Sequence, residues 1–281
     1  MDIVIFFFSG TGNTWWVASE LKKALEQRDH AVDMVSLENE SMQDSETVAA
    51  RIERADCILI GYPVYGSDLP DNMMSFVKNL PSCDNKIFGA FCTQAAFSGD
   101  ASSFFQQELT IKGYDFRFSF QFNITTNFNV AMLPFSLSKP AAGKKLAKIK
   151  SKALKKINRA ADMITAKDRH LEGNSIFMSV PGRIQRYFFR KNKSKLLRSF
   201  QFLADRCTGC GLCERYCPTG SISFDADHSE LTRRDDCLLC FRCYNFCPSL
   251  AINFGHKVTN PEKYKRFTGP VEDMKLFDIM K

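Results

Sequence analysis

No stretch of the chain approaches the roughly 18 consecutive apolar residues that a membrane-spanning helix requires, so no spanning segment is expected. No basic run precedes the first apolar segment either. Met1 and Asp2 lead straight into Ile3 to Phe8, which has strand length and lacks the charged start of a secretory signal; the expected compartment is the cytoplasm. No recognised RNA-binding motif is present, so nucleic acid is not an expected partner. Acidic residues are scarce in one place only. Residues 139–198 hold 3 Asp/Glu against 18 Lys/Arg, a net of +15. Residues 1–138 hold 17 acidic against 9 basic, a net of -8, and residues 199–281 balance at 11 each. The overall +7 therefore belongs to one middle segment.

A chain of 281 residues with an ordinary globular composition is long enough for about two domains. The first part alternates strand-like and helix-like segments. Ile3 to Phe8, Ala31 to Leu37, Cys57 to Ile60 and Ile87 to Phe91 are apolar runs of the kind buried in a parallel sheet, while Val17 to Leu25 and Val48 to Ile52 carry helical patterning. Such alternation predicts a doubly wound α/β domain. From Leu146 the apolar residues recur every three or four positions through Ile149, Ala153, Ile157, Ala160 and Ile164, one face of a helix whose other face is lysine-rich. Residues 170–202, with Gly173, Pro181 and Gly182, read as a basic connector containing a short helix, with Tyr187, Phe188 and Phe189 seating it against the cysteine-rich part. The expected division is 1–169, 170–202, 203–256 and a C-terminal extension over 257–281.

Of 11 cysteines, eight fall between Cys207 and Cys247, in a repeat offset by 30 residues. Each half reads Cys-x-x-Cys-x-x-Cys-x-x-x-Cys-Pro: Cys207, Cys210, Cys213 and Cys217, then Cys237, Cys240, Cys243 and Cys247. Three thiolates at this spacing wrap one face of a cubane, while the fourth is turned away toward the opposite cluster. The expected ligand sets are Cys207, Cys210, Cys213 and Cys247 for one [4Fe-4S] cluster, and Cys237, Cys240, Cys243 and Cys217 for the other. Zinc is the competing metal, but zinc sites pair two short Cys-x-x-Cys knuckles and do not show four cysteines ending in proline twice over. The runs resemble those of two-cluster bacterial ferredoxins across roughly residues 203–256, which implies one-electron transfer. The scattered Cys57, Cys83 and Cys92 read as small buried hydrophobes, with Cys92 the one whose neighbours merit attention.

Directly after the first strand comes Ser9-Gly10-Thr11-Gly12-Asn13-Thr14, followed by a helix from about Trp15. A strand-loop-helix turn of this composition aims backbone N–H groups, hydroxyls and a helix start at an anion. It lacks the Lys of a nucleotide P-loop, and Trp15 stands where a dinucleotide fingerprint needs its third Gly. A buried monophosphate fits best. From Ile5 through Phe6, Phe7, Ser9, Gly12 and Thr14 to Ala18 the sequence resembles the flavodoxins, which implies FMN with its phosphate in this loop. The resemblance implies two further flavin-holding loops, Gly61-Tyr62-Pro63-Val64-Tyr65-Gly66-Ser67 and Thr93-Gln94-Ala95-Ala96-Phe97-Ser98-Gly99-Asp100. Tyr62 and Tyr65 are candidates either to stack on the ring or to pack in the core, Gly66 for the peptide facing flavin N5, and Trp16 for the core.

Together the two regions resemble the flavodoxin/ferredoxin fusion proteins of anaerobic bacteria and archaea. That resemblance implies an electron-transfer flavoprotein with FMN and two [4Fe-4S] clusters, serving a redox-protein partner such as an acidic ferredoxin or flavodoxin. The alternative is a reductase of an unknown small molecule, fed by the clusters, in a pocket lined by Gln94, Cys92, Ser98 and Asp100. The basic segment reads as a solvated helix face, as a dock for an acidic partner, or as a binding surface for RNA or anionic lipid.

Overall fold

A computed structural model describes residues 1–127, 139–225, 230–255, 262, 264–271 and 274–280; parts of the 257–281 extension therefore lie outside the described residues. The first domain runs β1 (Asp2–Phe7), α1 (Asn13–Glu26), β2 (Ala31–Ser36), α2 (Ser45–Arg54), β3 (Cys57–Pro63), α3 (Asp71–Asn79), β4 (Ile87–Gln94), α4 (Gln106–Ile111), β5 (Asp115–Asn123), α5 (Gly143–Ala166) and β6 (His170–Leu171). Its six strands lie in the order β2-β1-β3-β4-β5-β6, every pairing parallel. This is the doubly wound arrangement in which strand order reverses beside β1, the place where open α/β sheets bind ligands.

Both faces are covered. Val17, Leu21 and Leu25 of α1 join Ile157, Ala160 and Ile164 of α5 over one face, while Ile52, Met73, Val77 and Leu109 of α2 to α4 close the other. The strand β5 was not among those anticipated, although its alternating Phe116, Phe118, Phe120 and Phe122 is a period-two pattern. A register irregularity between Phe88 and Gly89 sets Phe88 against Phe116 and Gly89 against Phe118. The extra residue, Arg117, changes the face, so Phe116 packs on the α3 side and Phe118, Phe120 and Phe122 on the α1 side. Trp16 is core, as expected.

Residues 176–198 form one 23-residue helix, α6 (Ile176–Arg198), where a connector with a short helix was anticipated. Pro181 lies inside it without ending it. Its neighbour shows why glycine comes next: a Cβ on Gly182 would stand 2.7 Å from Asp100 Oδ1 and 3.0 Å from Gly99 Cα, so the helix lies directly on the loop after β4.

The second unit comprises β7 (Phe200–Phe202), α7 (Leu212–Arg215), β8 (Ile222–Asp225), β9 (Glu230–Arg233), α8 (Arg242–Phe246) and β10 (Ile252–Phe254). Strand β7 pairs antiparallel with β10, and β8 with β9. The backbone repeats as the cysteines do. Gly209, Gly211 and Gly220 have φ of +67°, +68° and +58°, and their counterparts 30 residues on, Leu239, Phe241 and Leu250, have 55°, 58° and 57°. The second half thus holds side chains in the left-handed region, at about 1–2 kcal/mol per residue. Leu239 and Phe241 are buried in compensation.

Candidate functional site

At the C-terminal ends of β1, β3 and β4 lies a cavity of about 870 Å³. Its floor is Ser9, Gly10, Thr11, Asn13 and Thr14 from the first loop, Pro63, Val64, Tyr65 and Gly66 from the second, and Thr93, Gln94 and Ala95 from the third. Two further walls were not anticipated. Pro181, Ile184, Phe188 and Phe189 come from α6, and Leu239 and Phe241 from the second cysteine run.

The first loop is prepared for an anion. Ser9 Oγ accepts from the N–H groups of Gly12 (3.1 Å) and Trp15 (3.2 Å), fixing the turn into α1. Thr14 and Thr93 share a hydroxyl hydrogen bond of 2.8 Å, tying the first loop to the third, and Asn127 Nδ2 donates to Thr11 Oγ1 at 2.9 Å. The N–H groups of Asn13 and Thr14 start α1 with no acceptor among the described residues. Three cavity side chains also carry a buried polar atom without a partner: Asn13 Oδ1, Tyr65 Oη and Gln94 Oε1. A polar ligand reaching all three would satisfy groups that are costly to leave unpaired. FMN, with a phosphate to accept from the Asn13 and Thr14 N–H groups and ribityl hydroxyls and a ring N–H to donate to the amide oxygens, fits that mix of donors and acceptors.

Several anticipated ligand residues lie elsewhere. Tyr62 is fully buried, its hydroxyl donating to the Ala101 carbonyl at 2.6 Å and its ring edge-on to Phe105, so it is core and not a stacking ring. Ser98, Gly99 and Asp100 sit under α6 instead of facing the cavity, and Phe97 is outside it. Asp100 pairs with Arg186 at 2.5 Å, both side chains buried. Cys92 contacts Ser98, and burial pushes its thiol up to about 12, which makes it a neutral core side chain. Gly12 is absent from the cavity wall because Pro270 and Met274 of the C-terminal extension cover it. Gly66, with φ +65°, does line the cavity, and a Cβ there would strike the Phe189 ring.

The cysteines are arranged as a ring around a hollow, not about a point. Cys207, Cys210, Cys213, Cys243 and Cys247 line one hollow together with the turns between them. Among the described residues no group of three or more His, Cys, Asp or Glu side chains closes on a site for a single ion. Backbone N–H groups are aimed at sulfur in both halves: Gly209 N to Cys207 Sγ at 3.4 Å, Leu239 N to Cys237 Sγ at 3.5 Å, and Ala251 N to Cys247 Sγ at 3.2 Å. Burial raises the thiol of Cys213 to about 11, and Cys247 and Cys210 add to the rise. Burial likewise raises Cys240 to about 12; Arg242 opposes this, and Cys237 and Cys217 contribute. Cys247 therefore lies within electrostatic reach of Cys213, and Cys217 within reach of Cys237, Cys240 and Cys243. The residues present fit thiolate-held iron-sulfur chemistry.

Arg242, which lies between the second and third cysteines of the second run, was not singled out from sequence. The residue is 1% exposed. It donates to the carbonyls of Gly10 and Ser9 at 2.8 Å each, to Tyr216 O at 2.8 Å, and to both carboxylate oxygens of Glu38 at 2.6 and 2.7 Å. One side chain therefore joins the first loop, the end of β2 and both cysteine runs. Cys240 lies against the same loop: a Cβ on Gly10 would stand 3.0 Å from Cys240 Cβ and 3.1 Å from its carbonyl oxygen.

Comparison with known proteins agrees with this division. A family model described as a flavodoxin domain matches residues 4–117, and one described as a 4Fe-4S binding domain matches residues 200–223. A "Ferredoxin-like protein in nif region" of Rhizobium leguminosarum bv. trifolii is 52% identical over 29 residues, 10% of this chain and 45% of that protein, so the chain spans under half of that relative's length. Among solved structures, oxidised Flavodoxin 2 from Bacillus cereus is 18% identical, covering 59% of this chain and 99% of its own, with a TM-score of 0.43. Two-electron reduced Megasphaera elsdenii flavodoxin is 24% identical, covering 54% and 98%, with a TM-score of 0.37.

The sheet order, the prepared loop and the cysteine hollow define a protein that joins a flavodoxin domain to a 4Fe-4S binding domain. No described helix is long and apolar enough to cross a membrane.

Proposed function

We propose that the chain relays electrons between two [4Fe-4S] clusters and one FMN, with the cluster ligated by Cys237, Cys240, Cys243 and Cys217 on the flavin side. When bound, these groups supply one-electron exchange at the clusters and both one- and two-electron chemistry at the flavin. The observation that carries this reading is the seating of Cys240 and Arg242 directly on Ser9 and Gly10 of the phosphate loop. In this reading Ser9, Gly10, Thr11, Asn13 and Thr14 hold the phosphate. Tyr65, Gly66, Thr93, Gln94 and Ala95 hold the ring, and Phe188, Phe189 and Phe241 exclude water above it.

In this reading the first domain extends past the expected 169 to take in β6 and α6, and the cluster domain begins at β7, slightly before 203. Helix α6 belongs structurally to the first domain. Arg190 clasps Asp68 at 2.6 and 2.9 Å and Lys193 reaches Asp71 at 2.5 Å, in addition to the buried Arg186–Asp100 pair. Part of the +15 charge thus serves to hold this roof on an acidic domain.

Protein reconstituted without oxygen is expected to contain about eight iron, eight sulfide and one FMN per chain. Reduction by a one-electron donor followed by rapid-scan spectroscopy is expected to show cluster bleaching and flavin bleaching linked by an intramolecular rate. Stoichiometric zinc without iron, or flavin reduction independent of the clusters, would overturn the proposal.

A further inference from the structure

A surface helix of a water-soluble domain turns its apolar stripe inward and its charges outward. Helix α6 does the reverse. Its inward side carries Arg186, Gly182, Arg190 and Lys193, engaged with Asp100, Gly99, Asp68 and Asp71. Its outward side carries Phe177 (85% exposed), Val180 (48%), Ile184 (54%) and Tyr187 (60%), spaced by three or four residues so that they fall on one line. Ile176 and Phe188 widen the line, which is continuous with the rim of the cavity through Ile184 and Phe188.

The line changes character along the helix without changing direction, since Lys191, Lys195 and Arg198 succeed Tyr187 at the same spacing and Arg183 flanks it. The helix contains seven Lys and Arg residues and no Asp or Glu. Among the described residues, Arg183, Lys191, Lys195 and Arg198 have no carboxylate within ion-pair distance, and the outward face keeps its positive charge.

We infer that the outward stripe of α6 is a docking face for an anionic lipid surface, with Phe177, Val180, Ile184 and Tyr187 entering the headgroup and acyl boundary and Arg183, Lys191 and Arg198 meeting the lipid phosphates. A projecting row of apolar side chains bordered by cations that have no carboxylate partner among the described residues is the composition of helices that lie in the plane of a bilayer. The convex row offers a partner protein no groove to fill, whereas lipid chains close around any shape. The buried Arg186–Asp100 pair and the Arg190–Asp68 and Lys193–Asp71 pairs hold the helix on its domain, so the row cannot fold back on it. Attachment of this kind is peripheral and does not depend on what the cavity or the cysteines hold.

The test is co-sedimentation of the full, reconstituted chain with vesicles made of equal parts phosphatidylcholine and phosphatidylglycerol, against vesicles of phosphatidylcholine alone. The wild type is expected to pellet with the mixed vesicles and to remain in solution with the neutral ones. Phe177→Ser, Val180→Ser and Tyr187→Ser together are expected to weaken the partition by about tenfold or more. Arg183→Gln, Lys191→Gln and Arg198→Gln together are expected to weaken it by on the order of a hundredfold, with most of the loss reproduced by added salt. None of these six residues lines the cavity, and FMN and iron contents should stay at the wild-type level. A wild type that stays in the supernatant at low salt, or a triple serine variant that pellets as the wild type does, overturns the inference. So does lipid-free self-association that the serine variant abolishes, which would assign the stripe to a second copy of the chain.

Discussion

At the scale of single residues, the phosphate loop and the fourth cysteines make distinct demands. Thr11 and Thr14 place hydroxyls at the cavity floor, and Thr14 also anchors the third loop through Thr93. Replacing both by Val removes two donors to a charged phosphate, at about 1.5–3 kcal/mol each. Equilibrium dialysis or fluorescence titration is expected to show FMN affinity reduced by at least about a hundredfold, with iron content unchanged. Unaltered affinity would place the phosphate elsewhere. Cys217→Ala is expected to disturb the cluster of Cys237, Cys240 and Cys243, across the pseudo-repeat, since Cys217 adds its charge to all three. Magnetic spectroscopy on that variant reads the outcome; loss of the Cys207 group's cluster in its place would reverse the ligand assignment.

The cysteines were legible because their spacing alone encodes the chemistry. Tyr62 and Tyr65 were not separable by sequence, because only the position of the strand end distinguishes them: Tyr62 still pairs with Cys92 within β3 and β4, whereas Tyr65 lies beyond the strand. Arg242 left no signal at all. An arginine in a cysteine run reads as a solvated cation, and its burial depends on Glu38, 204 residues away.

At the scale of elements, helix α6 shows how a local rule misleads. Pro181 and Gly182 together are ordinarily a helix boundary. Here the proline costs one helical hydrogen bond and the glycine permits contact with the Gly99 backbone, while Arg186, Arg190 and Lys193 anchor the later turns. Gly182→Ala is expected to destabilise the fold by about 1–3 kcal/mol, because backbone and a buried carboxylate stand where the methyl would go. The denaturation midpoint should fall, and FMN should dissociate more readily as the roof lifts. A midpoint and a flavin off-rate equal to wild type would show that α6 is not seated as described. By contrast α5 was legible almost to its ends, since its apolar stripe is unbroken and faces the sheet.

At the scale of the whole molecule, the two domains are joined at a buried ion pair and not by a flexible tether. Breaking such a pair by removing one partner costs about 3–5 kcal/mol, while replacing both by uncharged residues of similar size costs far less. The double variant Glu38→Gln with Arg242→Met is therefore expected to fold and bind its cofactors, yet to slow transfer between clusters and flavin as Cys240 loses its fixed position over Gly10. Single-turnover rates compared with wild type at equal FMN and iron content decide the matter; equal rates would remove Arg242 from the positioning role.

The lysines of α5 belong to this scale too. Lys144, Lys145, Lys148, Lys152 and Lys155 are exposed, unlike Lys156, which pairs with Glu172 at 2.7 Å. If they steer an acidic redox partner, changing the five to Gln should slow stopped-flow association at low salt and flatten its salt dependence, as the Debye length falls from about 30 Å at 0.01 M to about 10 Å at 0.1 M. Intramolecular transfer should not change. Association rates matching wild type at low salt would leave these lysines as a solvated face only.

The C-terminal extension has a consequence in time as well as in space. Pro270 and Met274 cover Gly12, the Pro270 carbonyl accepts from Lys150 at 3.1 Å, and the Ile279 carbonyl accepts from Ser36 at 3.0 Å. The loop that begins at residue 9 is thus enclosed by segments synthesised after both cysteine runs. A nascent chain that has emerged only as far as α5 owns the sheet and the phosphate loop but neither Phe241 nor the strap over Gly12. Where that loop holds FMN, flavin captured early is expected to stay exchangeable and to become locked in only when the cluster domain and the tail have closed over it.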